Sequence, residues 1–157
     1  MRVPLDGSAK PEIVPGTVVP HSILGDPTVG VSPDGKLLAF LSSSTAVGGA
    51  STIVRISLVP LDEGAEPHVR FIDPNPHILA GPHFSPDGKS LVYFVRINRV
   101  DNLWIQPLDG SPGHALTNFP TDNAGPFHWS HDGKTLGILR LHTESDVVLL
   151  RDSSSTQ

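Results

Sequence analysis

The sequence predicts an all-β fold of short antiparallel strands grouped in fours, the blades of a partial β-propeller. Three observations carry that expectation: a high content of turn formers, one turn phrase that occurs three times, and a second turn phrase that alternates with the first. The chain has 157 residues, of which 16 are Pro and 15 are Gly. Pro costs about 3 kcal/mol in a helix interior and Gly about 1, so long helices are disfavoured. No window shows the 3.6-residue apolar period of an amphipathic helix.

The first phrase reads Val31-Ser32-Pro33-Asp34-Gly35-Lys36, Phe84-Ser85-Pro86-Asp87-Gly88-Lys89 and Trp129-Ser130-His131-Asp132-Gly133-Lys134. Each copy precedes a strand-like apolar run: Leu37 to Leu41, Leu91 to Val95, and Leu136 to Leu139. The second phrase reads Val3-Pro4-Leu5-Asp6-Gly7, Val59-Pro60-Leu61-Asp62-Glu63-Gly64 and Gln106-Pro107-Leu108-Asp109-Gly110. Further strand-like runs lie just upstream of its later copies, Ile53 to Val59 and Asn102 to Gln106, and Asp146 to Leu150 falls one period on.

Turn chemistry explains both phrases. In Ser-Pro-Asp-Gly, Pro pre-sets φ, Asp bonds the backbone ahead of it, and Gly takes the positive φ that follows a type I turn. Such a turn suits a short hairpin with a bulge. One copy would mean only a surface turn, whereas three in register mean a repeat. Each period then holds four strands: A before Ser-Pro-Asp-Gly, B after it, C before Pro-Leu-Asp-Gly and D after that, at His68 to Phe71 and His114 to Asn118. The segment Ser42 to Ser51, rich in Ser and Gly, reads as a flexible B–C loop. The whole chain, 1–157, is one partial propeller domain with blades at approximately 15–71, 72–118 and 119–152. Residues 1–14 complete a neighbouring or terminal blade, with Glu12 to Val14 as a D strand.

Phe84-Ser85-Pro86-Asp87-Gly88-Lys89 with its apolar run to Phe94, followed by Asp101-Asn102-Leu103-Trp104-Ile105, resembles the repeat of TolB-like and WD40-like propellers. The ending from Trp129 to Leu150 resembles the last blade of propellers attached to bacterial membrane-anchored serine/threonine kinases. The resemblance covers nearly the whole chain and implies a fold more than an activity, because the fold hosts many roles. His131 departs from the pattern, standing where the other copies have Pro. No Gly-rich phosphate loop, His-Arg-Asp or Asp-Phe-Gly kinase signature is present.

The net charge is −5, and the 11 Lys and Arg are scattered without a basic stripe. Nucleic-acid binding, which rests on neutralising phosphates, is therefore not expected. Cysteine is absent, which removes disulfides and thiolate chemistry. No apolar run reaches the roughly 20 residues of a membrane span, so this chain is not expected to insert in a membrane. The N-terminus lacks the apolar stretch of a signal peptide. The chain as written is expected to be cytoplasmic, or to lie outside the cytoplasm if it belongs to a membrane-anchored parent.

Candidate chemistry is sparse. Eight His invite a metal reading, with His83 and His128 at one repeat position where the first repeat has Gly30. The stronger reading packs these imidazoles between blades, since no metal-ligand spacing supports a site. TolB-like propellers also occur fused to prolyl-oligopeptidase-type hydrolases, but no Gly-x-Ser-x-Gly occurs here. Asp34, Asp87 and Asp132 are turn formers. Phe84, Tyr93, Trp104 and Trp129 read better as interblade core than as a ligand cage. No catalytic residue, metal site or cofactor is expected.

Surface geometry ranks what remains. The A–B and C–D turns share one face of the disc and are stereotyped, whereas the D–A and B–C loops share the other and vary. Variable loops on a rigid scaffold tend to carry function. Binding is therefore expected from Asp73, His77, Arg96, Arg99, Asp122 and His142, with His21, Asp26, Asn75, Asn123 and Glu144 in the same loops. Arg96 and Arg99 have no turn role in this scheme; they read as a charged surface or, more sharply, as a contact to an acidic partner. The leading functional expectation is a non-enzymatic protein-interaction or sensor module, part of a larger propeller. The alternatives are an accessory propeller of a prolyl-oligopeptidase-like peptidase, and a fragment without separate function. A protein or peptide partner is expected, and a homodimer completing a six-bladed ring would cover the end blades.

Overall fold

A computed structural model describes residues 6, 8, 10–13, 29–45, 52–61 and 68–144. Ten strands and no helix make up the described residues: β1 (Val29–Val31), β2 (Leu37–Thr45), β3 (Thr52–Pro60), β4 (Arg70–Ile72), β5 (His83–Phe84), β6 (Ser90–Ile97), β7 (Val100–Pro107), β8 (His114–Ala115), β9 (Asn123–Trp129) and β10 (Leu136–Leu141). They form two four-stranded sheets, β1-β2-β3-β4 and β5-β6-β7-β8, and a two-stranded sheet, β9-β10. All pairings are antiparallel. This is the architecture of a partial β-propeller, with the strands where the two turn phrases place them.

The turn phrase has one geometry in all three copies. Ser32 Oγ donates to Asp34 Oδ1 at 2.6 Å and accepts from the Leu37 N–H at 2.8 Å, while Asp34 Oδ1 accepts from the Lys36 N–H at 3.1 Å. Ser85 with Asp87 and Ser130 with Asp132 repeat the 2.6 Å bond. Gly35, Gly88 and Gly133 take φ of 72°, 69° and 69°. His131 therefore substitutes for Pro without changing the turn. The carboxylates of Asp34, Asp87 and Asp132 are held below their ordinary pKa, first by the Ser hydroxyl and then by the backbone N–H. The turns also meet one another. A Cβ on Gly88 would touch the Pro33 ring at 3.5 Å, and one on Gly133 would come within 2.6 Å of Pro86.

The core lies between sheets. Along β6, Leu91, Tyr93 and Val95 pack with Ala39, Leu41, Ile56 and Leu58 of the first sheet. The alternate residues Val92 and Phe94 pack with Leu103 and with Phe127 of the third sheet. The middle sheet is thus buried on both faces, which is why Leu91 to Val95 is an unbroken apolar run. Phe84, Tyr93 and partly buried Trp104 belong to the first interface and Trp129 to the second, so these aromatics form interblade core. A side chain at Gly30 would collide with the Pro82 carbonyl at 2.6 Å, a close approach that excludes His from the first copy of that position.

Three expectations need correction. Ser42 to Thr45 are not a loop: they extend β2, pairing with Thr52 to Arg55 of β3. A buried hydroxyl pair, Ser42 Oγ and Ser57 Oγ at 2.7 Å, satisfies both polar groups there. The D strands are short, Arg70–Ile72 and His114–Ala115, because each meets the sheet over only two or three residues of β3 or β7. Arg96 lies in β6 and not in a loop, since the hairpin turn is only Asn98-Arg99. Of the expected strand Glu12 to Val14, Glu12 and Ile13 are described and are not part of a named strand, while Val14 lies outside the described residues, as do the expected strand Asp146 to Leu150 and the loop residues His21 and Asp26.

Candidate functional site

The β6–β7 hairpin closes through two residues of positive φ, Asn98 at 52° and Arg99 at 66°. That turn fixes the register so that Arg96 sits directly across from Asp101. Asp101 has no exposed surface, and Arg96 is 43% exposed at the side chain. Arg96 donates twice to the carboxylate, Nε to Oδ1 at 2.6 Å and Nη2 to Oδ2 at 2.8 Å. The Ala124 N–H, at the start of the third sheet, donates to Asp101 Oδ2 at 3.0 Å. Burial disfavours the charge on Asp101, but the Arg96 and Ala124 hydrogen bonds outweigh it and hold the carboxyl below its ordinary pKa.

Asp122 forms the second centre. The β9–β10 register pairs Asn123 with Leu141, bringing the next residues on each strand, Asp122 and His142, side by side. His142 Nδ1 lies 2.6 Å from Asp122 Oδ1, and its Nε2 lies 3.4 Å from Glu144. Arg140 reaches Asp122 at 3.4 Å, donates to the Thr121 carbonyl, and covers the Phe119 ring at 3.8 Å. The Asp122 hydrogen bond raises the His142 pKa above 6.5, with Glu144 adding to it. The Asp101 N–H donates to the Asp122 carbonyl at 3.2 Å, joining the two centres.

The predicted binding residues therefore divide. Asp122 and His142 are in contact, and Arg96 joins them through Asp101. His77 meets Arg96 through the main chain, its carbonyl accepting from the Arg96 N–H at 2.9 Å. Asp73 stands apart, paired with Arg55 at 3.1 Å, and Arg55 lies over Phe71 at 5.7 Å. Arg99 occupies the hairpin tip and has no ion-pair partner among the described residues. Sequence reasoning missed Asp101, Arg140 and Phe119. Asp101 was within reach of it, because a two-residue turn at Asn98-Arg99 makes Arg96 and Asp101 cross-strand partners.

His83 and His128 line a groove of about 310 Å³ between the second and third sheets, together with Phe94, Phe127 and the chain at 79–81 and 124–126. The His83 ring meets Phe127 edge-on at 4.8 Å between centroids. Among the described residues, no group of three or more His, Cys, Asp and Glu is placed to hold a metal. No helix among them is long and apolar enough to cross a membrane.

No family model matches the chain, and no curated protein matches it. Solved structures do. Acylaminoacyl peptidase from Pyrococcus horikoshii aligns at 16% identity and a TM-score of 0.50, over 77% of this chain and 18% of its own. Acylaminoacyl peptidase in complex with a peptidyl chloromethyl ketone aligns at 18% identity and 0.49, over 76% and 18%. The AtxE2 isopeptidase with a bound astexin aligns at 17% and 0.46, over 66% and 18%. The chain spans less than a fifth of these structures. At such identities the likeness to the Pyrococcus horikoshii enzyme concerns the fold alone.

Proposed function

We propose that this chain is a non-enzymatic interaction module of propeller type that binds a protein or peptide through its variable loop face. One observation carries the reading. The charged side chains Arg96 and Asp101 pair on the second sheet, Arg140 and His142 pair with Asp122 on the third, and main-chain N–H bonds from Ala124 and Asp101 tie the two groups together. They stiffen a surface, and each of these charged groups is engaged by another within the described residues. A rigid surface with differing loops suits recognition.

A second reading makes the chain the accessory propeller of a peptidase, a part that would govern substrate access while another domain does the chemistry. The fold likeness to the Pyrococcus horikoshii acylaminoacyl peptidase, matched over a minor part of that enzyme's length, supports this second reading. Assembly belongs to the same proposal: Val29 and Val31 on the first sheet and Leu139 and Leu141 on the third are exposed apolar residues that a second copy would cover. Light scattering is expected to show a dimer, and a stable monomer at micromolar concentration would remove that part of the proposal.

The test of the module itself is twofold. A chromogenic acyl-peptide substrate is expected to show no turnover, and turnover abolished by one Ser→Ala change would overturn the non-enzymatic reading. Selection of a random dodecamer peptide library on the immobilised, folded chain is expected to enrich related sequences with saturable binding.

A further inference from the structure

We infer that the tip of the β6–β7 hairpin, Ile97-Asn98-Arg99, is a docking finger for a protein segment that combines a carboxylate with an aliphatic side chain. The inference rests on the interaction-module reading above and adds a surface and a partner chemistry to it.

The turn is the starting point. A two-residue hairpin loop with both residues at positive φ is of type I′, where Asn-Gly is the favoured pair because the second position suits Gly. Here the pair is Asn98-Arg99, at φ of 52° and 66°. Asn tolerates the left-handed region, whereas Arg carries a Cβ that crowds the following carbonyl there. A residue costly to the fold is thus held in the exposed two-residue turn of the hairpin, where backbone geometry alone calls for Gly.

The surroundings give that Arg something to do. Arg96 is already neutralised by Asp101, and Arg99 is exposed with no ion-pair partner among the described residues. The whole chain carries a net charge of −5, so a free cation on a tip stands out against its own background. Ile97, the neighbouring strand residue, is 46% exposed and offers an apolar contact beside the charge. The hairpin base is fixed by the Arg96–Asp101 pair and by the bond from the Arg96 N–H to the His77 carbonyl. The cation and the apolar patch are therefore presented together on a pre-organised support, which lowers the ordering cost of binding. Guanidinium and carboxylate match as a two-pronged hydrogen-bonded pair, and Ile97 selects an aliphatic neighbour. A polyphosphate backbone fits poorly, since one cation on an acidic chain cannot neutralise a run of phosphates.

Two measurements on the full chain test this. Arg99→Gly should raise Tm by about 2 °C, because Gly removes the left-handed strain; a fall in Tm would show that Arg99 serves the fold and would overturn the inference. In the library selection, enriched peptides should contain Asp or Glu beside Leu, Ile or Val. Their affinity should drop about tenfold or more in Arg99→Gly, and Arg99→Lys should retain part of it. Enriched peptides that lack acids, or that bind Arg99→Gly equally well, overturn the finger while leaving the module reading intact. No enrichment at all overturns both. Binding of a single-stranded oligonucleotide lost in Arg99→Gly, with no acidic peptide selected, assigns the tip to nucleic acid and overturns the carboxylate partner.

Discussion

At the scale of single residues, the turn phrase does more than its letters suggest. The roles of Pro, Asp and Gly follow from φ preferences, and the structure bears out the positive φ of Gly88. The part played by Ser does not follow from propensity: its hydroxyl bridges the Asp carboxylate and a strand N–H, a job that exists only once the turn has closed. Ser85 is buried, so Ser85→Ala leaves the Ser90 N–H and the Asp87 carboxylate without that partner. A loss of about 1–2 kcal/mol is expected in urea unfolding. Gly88→Val should lower Tm well beyond Lys89→Ala, since a β-branched residue is strongly disfavoured at φ of 69°. Equal shifts in the two variants would contradict the role given to Gly88.

At the scale of elements, register decided what sequence alone left open. The strands were legible because apolar runs sit at fixed offsets from the turn phrases. The site was only half legible, because its contacts depend on which residues face each other across a pair. Arg96 meets Asp101 by hairpin register, whereas His142 meets Asp122 only because β9–β10 shifts register between Ile138 and Arg140. That shift is a bulge around Gly125-Pro126, and a Pro in an edge strand does not announce where pairing resumes. The Asp122–His142 contact also sets a pH dependence. The folded-state pKa of His142 is raised above 6.5 by Asp122 and then Glu144, so its contribution is complete below about pH 6.5 and is lost as pH rises through the folded value. Tm should therefore decline on going from pH 6 to pH 8, and the decline should be shallower in His142→Gln. Added salt should weaken the effect, since His142 is largely exposed.

At the scale of the whole molecule, the sheets are held by what lies between them. Phe127 is the buried residue that the third sheet contributes to its interface with β6 and β7, and it meets Phe94 edge-on at 5.3 Å. Phe127→Ala should cost about 3–5 kcal/mol. Amide hydrogen exchange should speed up across β9 and β10 while β2, β3 and β6 keep their protection; uniform acceleration would mean that the three sheets unfold as one unit. The stacked turns carry a different consequence. Gly133 lies against Pro86, and Gly88 lies against Pro33, so each Gly answers to the ring of the preceding copy as well as to its own backbone. Changes at Pro86 and Gly133 should therefore be epistatic: once Gly133 is replaced by Ala, trimming Pro86 relieves part of the damage. Neighbouring repeats are in this sense coupled in pairs, and a copy moved to another place in the chain would bring only half of a contact with it.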